Sequence, residues 1–371
     1  MTPASAVKRT CAAALAVMLF ASAPAQAQNE ASPPPAGKPA AKPAGKTAAK
    51  PTIKPATNPA ATADGTTDAG AADAMSSPLP KSVLDPAYGA FQRGYFLTAF
   101  RLAEQRVEQD KDPKSMTLIG ELYSNGLGVA QDDAKASDWY KLAAARGDSN
   151  AMFALAIFAL AGRGGPRDRQ ASAKWLASAA KRGHPQAAYD LALLYIEGQL
   201  FPQDFTHAAE LLRVAADAGS ADAQYALGTF YKEGRGVPKD MHEAVKLWAR
   251  AALADNTDAQ VEYGIALFNG DGVPRDEGAA MRLFRKAALH GSPIAQDRLA
   301  IILANGLGTP ANPIEATKWH LISRANGETN LPLDAFVDKL DPDKRAAGEK
   351  AAKTWLDTLK GNKMAAQQAG P

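Results

Sequence analysis

Few residues in this sequence could perform metal chemistry, and their spacing argues against it. The five histidines are His184, His207, His242, His290 and His320. No two of them stand three or four residues apart, which is the spacing that places two metal ligands on one helix face. We therefore expect the histidines at the surface or at loop ends, and we predict no metal site.

Two other patterns could suggest catalysis. Asp132 and Asp133 are adjacent carboxylates, of the kind that general acid–base catalysis uses. A Gly-x-Gly loop such as Gly126-Leu127-Gly128 could hold a phosphate, but no Gly-Lys-Ser/Thr sequence and no preceding strand accompanies it. Asp132 and the glycines each recur along the chain in a fixed register, which favours an architectural role. The sequence thus predicts no catalytic residue, no cofactor and no enzyme activity.

The glycine pairs return every 36 residues and divide most of the chain into equal units. The first glycine of each pair is Gly126, Gly162, Gly198, Gly234, Gly270 or Gly306. The second follows two residues later, with Leu200 as the one exception. Six units result, over residues 115–330. Self-similarity at this period is typical of helical repeat arrays.

Two amphipathic segments flank each glycine loop. The first carries apolar residues four apart, with small residues where a neighbouring helix is expected to come close. These small residues are Gly120, Ala156, Ala192, Gly228, Gly264 and Ala300. The second follows a short polar residue that can accept the free N–H groups of a helix start. These caps are Asp132, Asp168, Asp204, Asp240, Asp276 and Asn312.

The second segment also carries a predicted bulky anchor and ends at a glycine. The anchors are Trp139, Trp175, Leu211, Leu247, Leu283 and Trp319. The final glycines are Gly147, Gly183, Gly219, Gly291 and Gly327, with Asp255 substituting once. Each unit is thus predicted to be a helix, a glycine-rich loop, a second helix and a glycine stop.

A single helix pair cannot bury its own apolar face, so the pairs must stack on one another. The sequence therefore predicts an all-α solenoid of helix-turn-helix repeats. Shorter helix pairs are expected to cap it, over residues 83–112 at the N-terminal end and 331–360 at the C-terminal end. A flexible tail is expected over residues 361–371.

Residues 223–240 read Ala-Gln-Tyr-Ala-Leu-Gly-Thr-Phe-Tyr-Lys-Glu-Gly-Arg-Gly-Val-Pro-Lys-Asp. This pattern closely resembles the Sel-1-like repeat, a relative of the tetratricopeptide repeat, and the resemblance extends over residues 115–330. The resemblance implies a right-handed superhelix that serves as an adaptor. Exported bacterial members of this family regulate sensor kinases, scaffold exopolysaccharide machinery or help to assemble membrane complexes. Residues 331–356 are similar to the ending of periplasmic members that restrain a sensor kinase.

Residues 1–27 have the pattern of a cleaved export signal. Lys8-Arg9 is followed by an apolar stretch from Cys11 to Ala23 and by Ala25-Gln26-Ala27, so we predict cleavage after Ala27. The apolar stretch is shorter than the ~20 residues that a membrane-spanning helix needs. We therefore expect a periplasmic or secreted protein rather than an integral membrane protein. The only cysteine would leave with the signal, which excludes disulfides and cysteine nucleophiles.

Residues 28–80 are rich in alanine, proline and lysine and predict a disordered linker. The regularly spaced lysines at 38, 42, 46, 50 and 54 could contact peptidoglycan or another anionic polysaccharide. The alternative is a soluble tether, because three aspartates later in the segment offset the charge. The whole chain carries a net charge of +3, which gives no support for nucleic-acid binding.

The first helices of such arrays line the concave side, so a binding surface should vary at exposed positions on successive first helices. Two adjacent registers meet this condition. One gives a predicted aromatic strip and the other gives its charged neighbours. The residues are Phe153, Tyr189 and Tyr225, with Asp190, Glu262 and Arg298. The hypothesis is that they grip an extended peptide or a helix. The alternative is that the aromatic rings belong to the core between repeats.

These observations predict a periplasmic protein–protein interaction scaffold or regulator that acts on a cell-envelope complex, such as a sensor kinase or exopolysaccharide machinery. The alternative is a protein that binds the cell wall or a polysaccharide. A glycan-binding groove should expose aromatic rings beside amides, whereas a protein-binding groove should mix apolar and charged positions. The two candidate registers are mixed in this way.

Overall fold

The computed structural model describes residues 85–368, with side chains as far as residue 361. The predicted export signal and linker therefore lie outside the described residues. Within the described part, the regular structure is helical and contains no strand. The helices are α1 (Pro86–Gln92), α2 (Phe96–Asp110), α3 (Pro113–Asn125), α4 (Asp133–Ala145), α5 (Ser149–Ala161), α6 (Arg169–Lys181), α7 (Pro185–Glu197), α8 (Phe205–Asp217), α9 (Ala221–Glu233), α10 (Met241–Leu253), α11 (Thr257–Asn269), α12 (Glu277–Leu289), α13 (Pro293–Asn305), α14 (Pro313–Ala325), α15 (Leu331–Asp338) and α16 (Pro342–Gln368).

Helices α3 to α14 form six consecutive pairs. Each second helix packs against the first helix of its own repeat and against the first helix of the next repeat. This arrangement confirms the predicted all-α solenoid. Helices α1 and α2 precede the pairs, and α16 packs on α14 at the other end. Helix α16 continues to Gln368, into the segment predicted as a tail, where alanine, methionine and glutamine favour helix.

The predicted caps of the second helices are confirmed. In α4, for example, the backbone N–H of Lys135 donates to Asp132 Oδ1 at 3.0 Å. The first helices are capped as well, by a polar residue that directly follows a residue with positive φ, which is a glycine in four repeats, Lys111 in the first and Asp255 in the fifth. These caps, which the sequence analysis missed, are Asp112, Asp148, His184, Ser220, Asn256 and Ser292. Each of them provides an acceptor for an N–H group that would otherwise lack one.

The glycines of the loops adopt the left-handed backbone conformation that the sequence predicted. Asp255, which stands in place of a glycine stop, adopts it too, with φ of 63°. Its carboxylate forms an ion pair with Lys286. Leu200, which replaces a loop glycine, does not have a positive φ. The loop of that repeat therefore follows a different path.

The second glycine of each loop lies where one repeat touches the repeat before it. A Cβ added to Gly272 would lie 2.6 Å from the carbonyl oxygen of Met241, the first residue of α10. Gly236 lies closer still to Phe205 at the start of α8. A side chain at these positions would push the loop away from the preceding second helix. The glycine therefore maintains the contact between repeats.

The main anchor of each second helix is one residue later than the sequence analysis predicted. Trp139 is only half-buried, whereas Tyr140 is 4% exposed. The buried anchors are Tyr140, Leu176, Leu212, Trp248, Phe284 and His320. Both registers fit a helical pattern beside the buried Ala136 and Ala143, and only the direction of the neighbouring helix separates them. The predicted register was therefore wrong for the half-buried Trp139, Trp175, Leu211 and Leu283, whereas Leu247 and Trp319 are buried as predicted, beside Trp248 and His320.

The aromatic anchors Tyr140, Trp248 and Phe284 each face the glycine of their own first helix. A Cβ at Gly228 would lie 2.6 Å from Nε1 of Trp248, and one at Gly120 would lie 2.6 Å from the Tyr140 ring. Glycine stands opposite each of the three aromatic anchors of this register, and alanine stands opposite leucine or histidine. The repeat therefore conserves the combined volume of the two positions rather than either residue alone.

Buried glutamines connect neighbouring repeats. The side-chain Nε2 of Gln224 donates to the carbonyl oxygen of Ala216 at 2.9 Å, near the end of α8. Gln260 and Gln296 make the same contact with the ends of α10 and α12, at 3.3 Å and 3.1 Å. Each bond adds a side-chain donor from the next repeat to a carbonyl group that already accepts a backbone N–H at the helix end, from Gly219, Asp255 or Gly291.

Candidate functional site

The three predicted aromatic residues occupy the fifth position of α5, α7 and α9. Phe153, Tyr189 and Tyr225 are half-buried. They pack against the core between repeats and keep part of each ring exposed. The inner side of each ring therefore belongs to the core between repeats, as one sequence hypothesis expects. The outer side stays partly exposed, as the binding hypothesis requires. A strip of three first helices offers partly exposed aromatic surface at regular intervals.

Phe153 stacks on His184, with ring centroids 4.5 Å apart. The same imidazole caps α7, because its Nδ1 accepts the backbone N–H of Ala187 at 3.1 Å. The cap holds the imidazole in place beside Phe153. The sequence signal for this role was the position of His184 directly after the glycine stop at Gly183.

Burial raises the pKa of Tyr189 and of Tyr225 to about 12. Nearby carboxylates add to this effect, with Asp222 beside Tyr189 and Asp258 beside Tyr225. Both hydroxyls therefore keep their protons at neutral pH and can donate hydrogen bonds. In each case the carboxylate belongs to the next first helix, so the same tyrosine–aspartate pair occurs in two successive repeats.

Asp190 lies directly after Tyr189 on α7, and burial raises its pKa to about 6. Gln186 Nε2 donates to Asp190 Oδ1 at 2.8 Å, which opposes the effect of burial but does not cancel it. The carboxylate is thus bonded to a neutral amide rather than to a cation. It is held in an environment that disfavours its charged form.

Replacing Asp190 with asparagine should stabilise the protein at neutral pH. The folded pKa of about 6 lies above the ordinary value of 3.8, so the native state binds the proton more tightly than the unfolded state. The free energy of unfolding should fall as the pH rises from about 4 to about 6. The asparagine side chain would keep the acceptor for Gln186 and remove this loss. Tyr189 stays protonated throughout this range.

Urea unfolding of both proteins at several pH values measures this effect. Between pH 4 and pH 6, the free energy of unfolding of the variant should rise relative to that of the parent by about 1–3 kcal/mol in total. A stability difference that stays constant across this range would contradict the assignment to Asp190.

Two carboxylates that sequence analysis missed, Asp222 and Asp258, occupy the second position of α9 and α11. Asn256 Nδ2 donates to Asp222 Oδ1 at 2.8 Å. The pKa of Asp258 is raised by partial burial and, in addition, by the nearby negative charges of Asp222 and Glu262. The predicted Glu262 forms an ion pair with Lys232 at 2.8 Å. The repeat register could have revealed both aspartates, since they stand 36 residues apart.

We call Tyr189, Tyr225 and the carboxylates Asp190, Asp222, Asp258 and Glu262 the tyrosine–carboxylate strip. Arg298, the sixth predicted residue, is exposed on α13, two repeats beyond Tyr225. Among the described residues, no hydrogen bond or ion pair joins it to this strip. The structure thus brings together most of the predicted positions and places Arg298 apart from them.

The prediction that the histidines lie at the surface or at loop ends is wrong for His320, which is 1% exposed and lies within α14. Its ring fills the anchor position of α14, and its Nε2 lies 2.8 Å from Asp334 Oδ1 on α15. This hydrogen bond, together with Arg324, lowers the pKa of Asp334. The buried imidazole thus links the last repeat to the C-terminal helices.

The residues that could perform chemistry remain dispersed in the fold. Across residues 85–361, no three histidine, aspartate or glutamate side chains converge to form a metal site. Asp132 caps α4, and its neighbour Asp133 forms an ion pair with Arg163 of the next repeat. In the part of the chain that the structure describes, no helix is both long and apolar enough to cross a bilayer.

Comparison with known proteins supports the repeat assignment. The family model described as Sel1 repeat matches residues 113–148, 149–184, 185–220, 221–256, 257–292 and 293–327. The chain is similar to the crystal structure of a Sel1 repeat protein from Oxalobacter formigenes. The identity is 29%, the TM-score is 0.54, and the match covers 65% of this chain and 98% of that one.

A second similar structure is a protective antigen present in uropathogenic Escherichia coli strains, described as displaying an SLR fold. Here the identity is 25% and the TM-score is 0.49, with 74% of this chain and 67% of that chain covered. No curated protein matches the sequence. Six consecutive matches to one family model cover more than half of the chain. The chain therefore belongs to the Sel1 repeat family, whose helical arrays serve as protein-interaction scaffolds.

Proposed function

We propose that this protein is a periplasmic scaffold or regulator that binds a component of a cell-envelope complex, such as a sensor kinase or exopolysaccharide machinery. In this proposal residues 1–27 direct export and residues 28–80 act as a spacer. The first-helix surface of repeats two to five binds the partner. The protein acts by binding and not by catalysis.

The tyrosine–carboxylate strip, together with Phe153, carries the proposal. It presents half-buried rings at one register of three successive first helices, with carboxylates between them. Rings whose inner side is held by the core lose little conformational entropy on binding. Mixed aromatic and charged positions of this kind favour a protein partner over a glycan.

Photocrosslinking in cells tests the proposal. A photoreactive phenylalanine analogue replaces Tyr189 in one variant. In a control variant it replaces Lys174, which is exposed on the second helix α6. We expect Tyr189 to capture one envelope protein that Lys174 does not capture. The crosslinked protein should come from the periplasmic fraction and begin at residue 28.

Three results would contradict the proposal. They are equal capture from both positions, no protein captured from Tyr189, or a protein that retains residues 1–27 in the cytoplasm. Sedimentation with isolated cell-wall sacculi separates the glycan alternative. Binding that requires residues 28–80 would place wall contact in the lysine-rich linker, and binding that requires Tyr189 would favour a glycan-binding groove.

A further inference from the structure

We infer that the tyrosine–carboxylate strip binds an extended, cationic segment of its partner, with lysine or arginine side chains three residues apart. This inference rests on the proposed function, since it names the chemistry of the segment that the strip would accept. The argument uses the charges on the strip, the pairing of each tyrosine with a carboxylate, and the repeat spacing.

The strip has more carboxylates than cations. Glu262 is paired with Lys232, but Asp190 accepts from Gln186 and Asp222 accepts from Asn256, both of which are neutral amides. Asp258 has no hydrogen bond or ion pair among the described residues. Three carboxylates on neighbouring helices therefore lack a compensating positive charge. Burial raises the pKa of Asp258, and repulsion from Asp222 and from Glu262 adds to this effect.

Each tyrosine and its neighbouring aspartate form a unit suited to a cation. Beyond the effect of burial, Asp222 raises the pKa of Tyr189 and Asp258 raises that of Tyr225, so each aspartate acts on the tyrosine of the preceding first helix. An aromatic face attracts an ammonium or guanidinium group, and an adjacent carboxylate can accept a charge-assisted hydrogen bond from it. Because the unit occurs at the same register of two successive repeats, it offers two equivalent positions along the strip.

The protein uses the same combination internally, immediately beside the strip. Lys232 Nζ lies 5.5 Å from the centroid of the Trp248 ring and 2.8 Å from Glu262 Oε2. A lysine side chain is thus held between an aromatic ring and a carboxylate within this fold. The two tyrosine–aspartate units provide the same two groups without a lysine of their own.

The repeat spacing determines how far apart the cations of the partner should be. Packed helix axes lie about 10 Å apart. In an extended chain of polyproline II type, which rises about 3.1 Å per residue with three residues per turn, side chains at i and i+3 lie on the same face and span about 9 Å. A helical partner would need a spacing of about seven residues, because a helix rises 1.5 Å per residue. Extended peptides with lysine at every third position should therefore fit both units at once.

Fluorescence anisotropy with defined peptides tests the inference on the whole mature protein. The probes are alanine–glycine peptides that carry three lysines spaced three residues apart, the same lysines spaced two residues apart, or three glutamates spaced three apart. We expect the first peptide to bind about tenfold more tightly than the second. The glutamate peptide should not bind, and 0.5 M salt should weaken binding of the first.

Matched variants locate the binding. Asp222→Asn with Asp258→Asn should weaken binding of the first peptide at least about tenfold. Asparagine at 222 keeps an acceptor for Asn256, so the fold should be retained. The control is Asp138→Asn with Asp217→Asn, which removes the same charge from exposed positions on second helices. It should change the affinity less than twofold.

Equal losses in the two double variants, equal binding of the two lysine spacings, or binding of the glutamate peptide would overturn the inference. The proposed function fails separately. A partner captured through Tyr189 that contacts the strip without a cationic segment would leave the function standing and remove the inference. Specific binding of the first peptide with no partner captured through Tyr189 would support the inference and contradict the proposed function.

Discussion

Replacing Gly236 with alanine should destabilise the array by about 2–5 kcal/mol, although it adds only one methyl group. Gly236 has φ of 62°, and the new Cβ would overlap the carbonyl group of Phe205 at the start of α8. The left-handed conformation and the overlap each contribute. Because the overlap lies between two repeats, urea unfolding followed by far-ultraviolet circular dichroism should show a broader transition as well as a lower midpoint.

Gly219→Ala is the matched control for this substitution. Gly219 also has a positive φ, of 94°, but an added Cβ would meet no atom within 4 Å. It should cost only about 1–2 kcal/mol, from the backbone conformation alone. If the two variants lose the same stability, the loop glycine does not maintain the contact between repeats.

The paired positions 228 and 248 should show strong coupling in a double-mutant cycle. Gly228→Ala should cost about 1–3 kcal/mol, because the Cβ would lie 2.6 Å from Trp248 Nε1. Trp248→Leu should cost about 2–4 kcal/mol, since Trp248 is fully buried. The double variant recreates the Ala192–Leu212 pair of the third repeat. It should lose at least about 1 kcal/mol less than the sum of the single losses.

A second cycle provides the control for this coupling. It combines Gly228→Ala with Trp139→Leu, which makes the same tryptophan-to-leucine change three repeats away. These two losses should add. Additive losses in the first cycle too would show that the combined volume of the paired positions is not what the repeat maintains.

Most of the local structure of the repeat could be predicted from sequence because its causes are local. A helix start needs acceptors and a left-handed turn favours glycine, so Asp132, Gly126 and even the substitute Asp255 could be assigned from their spacing. The caps of the first helices were missed because they vary between aspartate, histidine, serine and asparagine. Their position directly after the glycine stop, which four of the six caps share, was the available signal.

The anchor register shows where local pattern is insufficient. Trp139 and Tyr140 both lie on the apolar side of α4, and their hydrophobicity does not tell them apart. Only the direction from which α3 approaches places Tyr140 against Gly120 and leaves Trp139 at the edge. The volume match between the two positions was present in the sequence but could be recognised only once the facing pair was known.

For the candidate site, the sequence determined the register of Phe153, Tyr189 and Tyr225, because a 36-residue repeat places equivalent residues at equivalent points of stacked helices. It did not determine which charges surround them. Tyr225 and Asp258 are 33 residues apart and belong to different repeats, so their proximity depends on how one helix pair stacks on the next. Helix ends and turns follow from interactions within a few residues of the chain, whereas electrostatic environments depend on distances through space that only the tertiary structure decides.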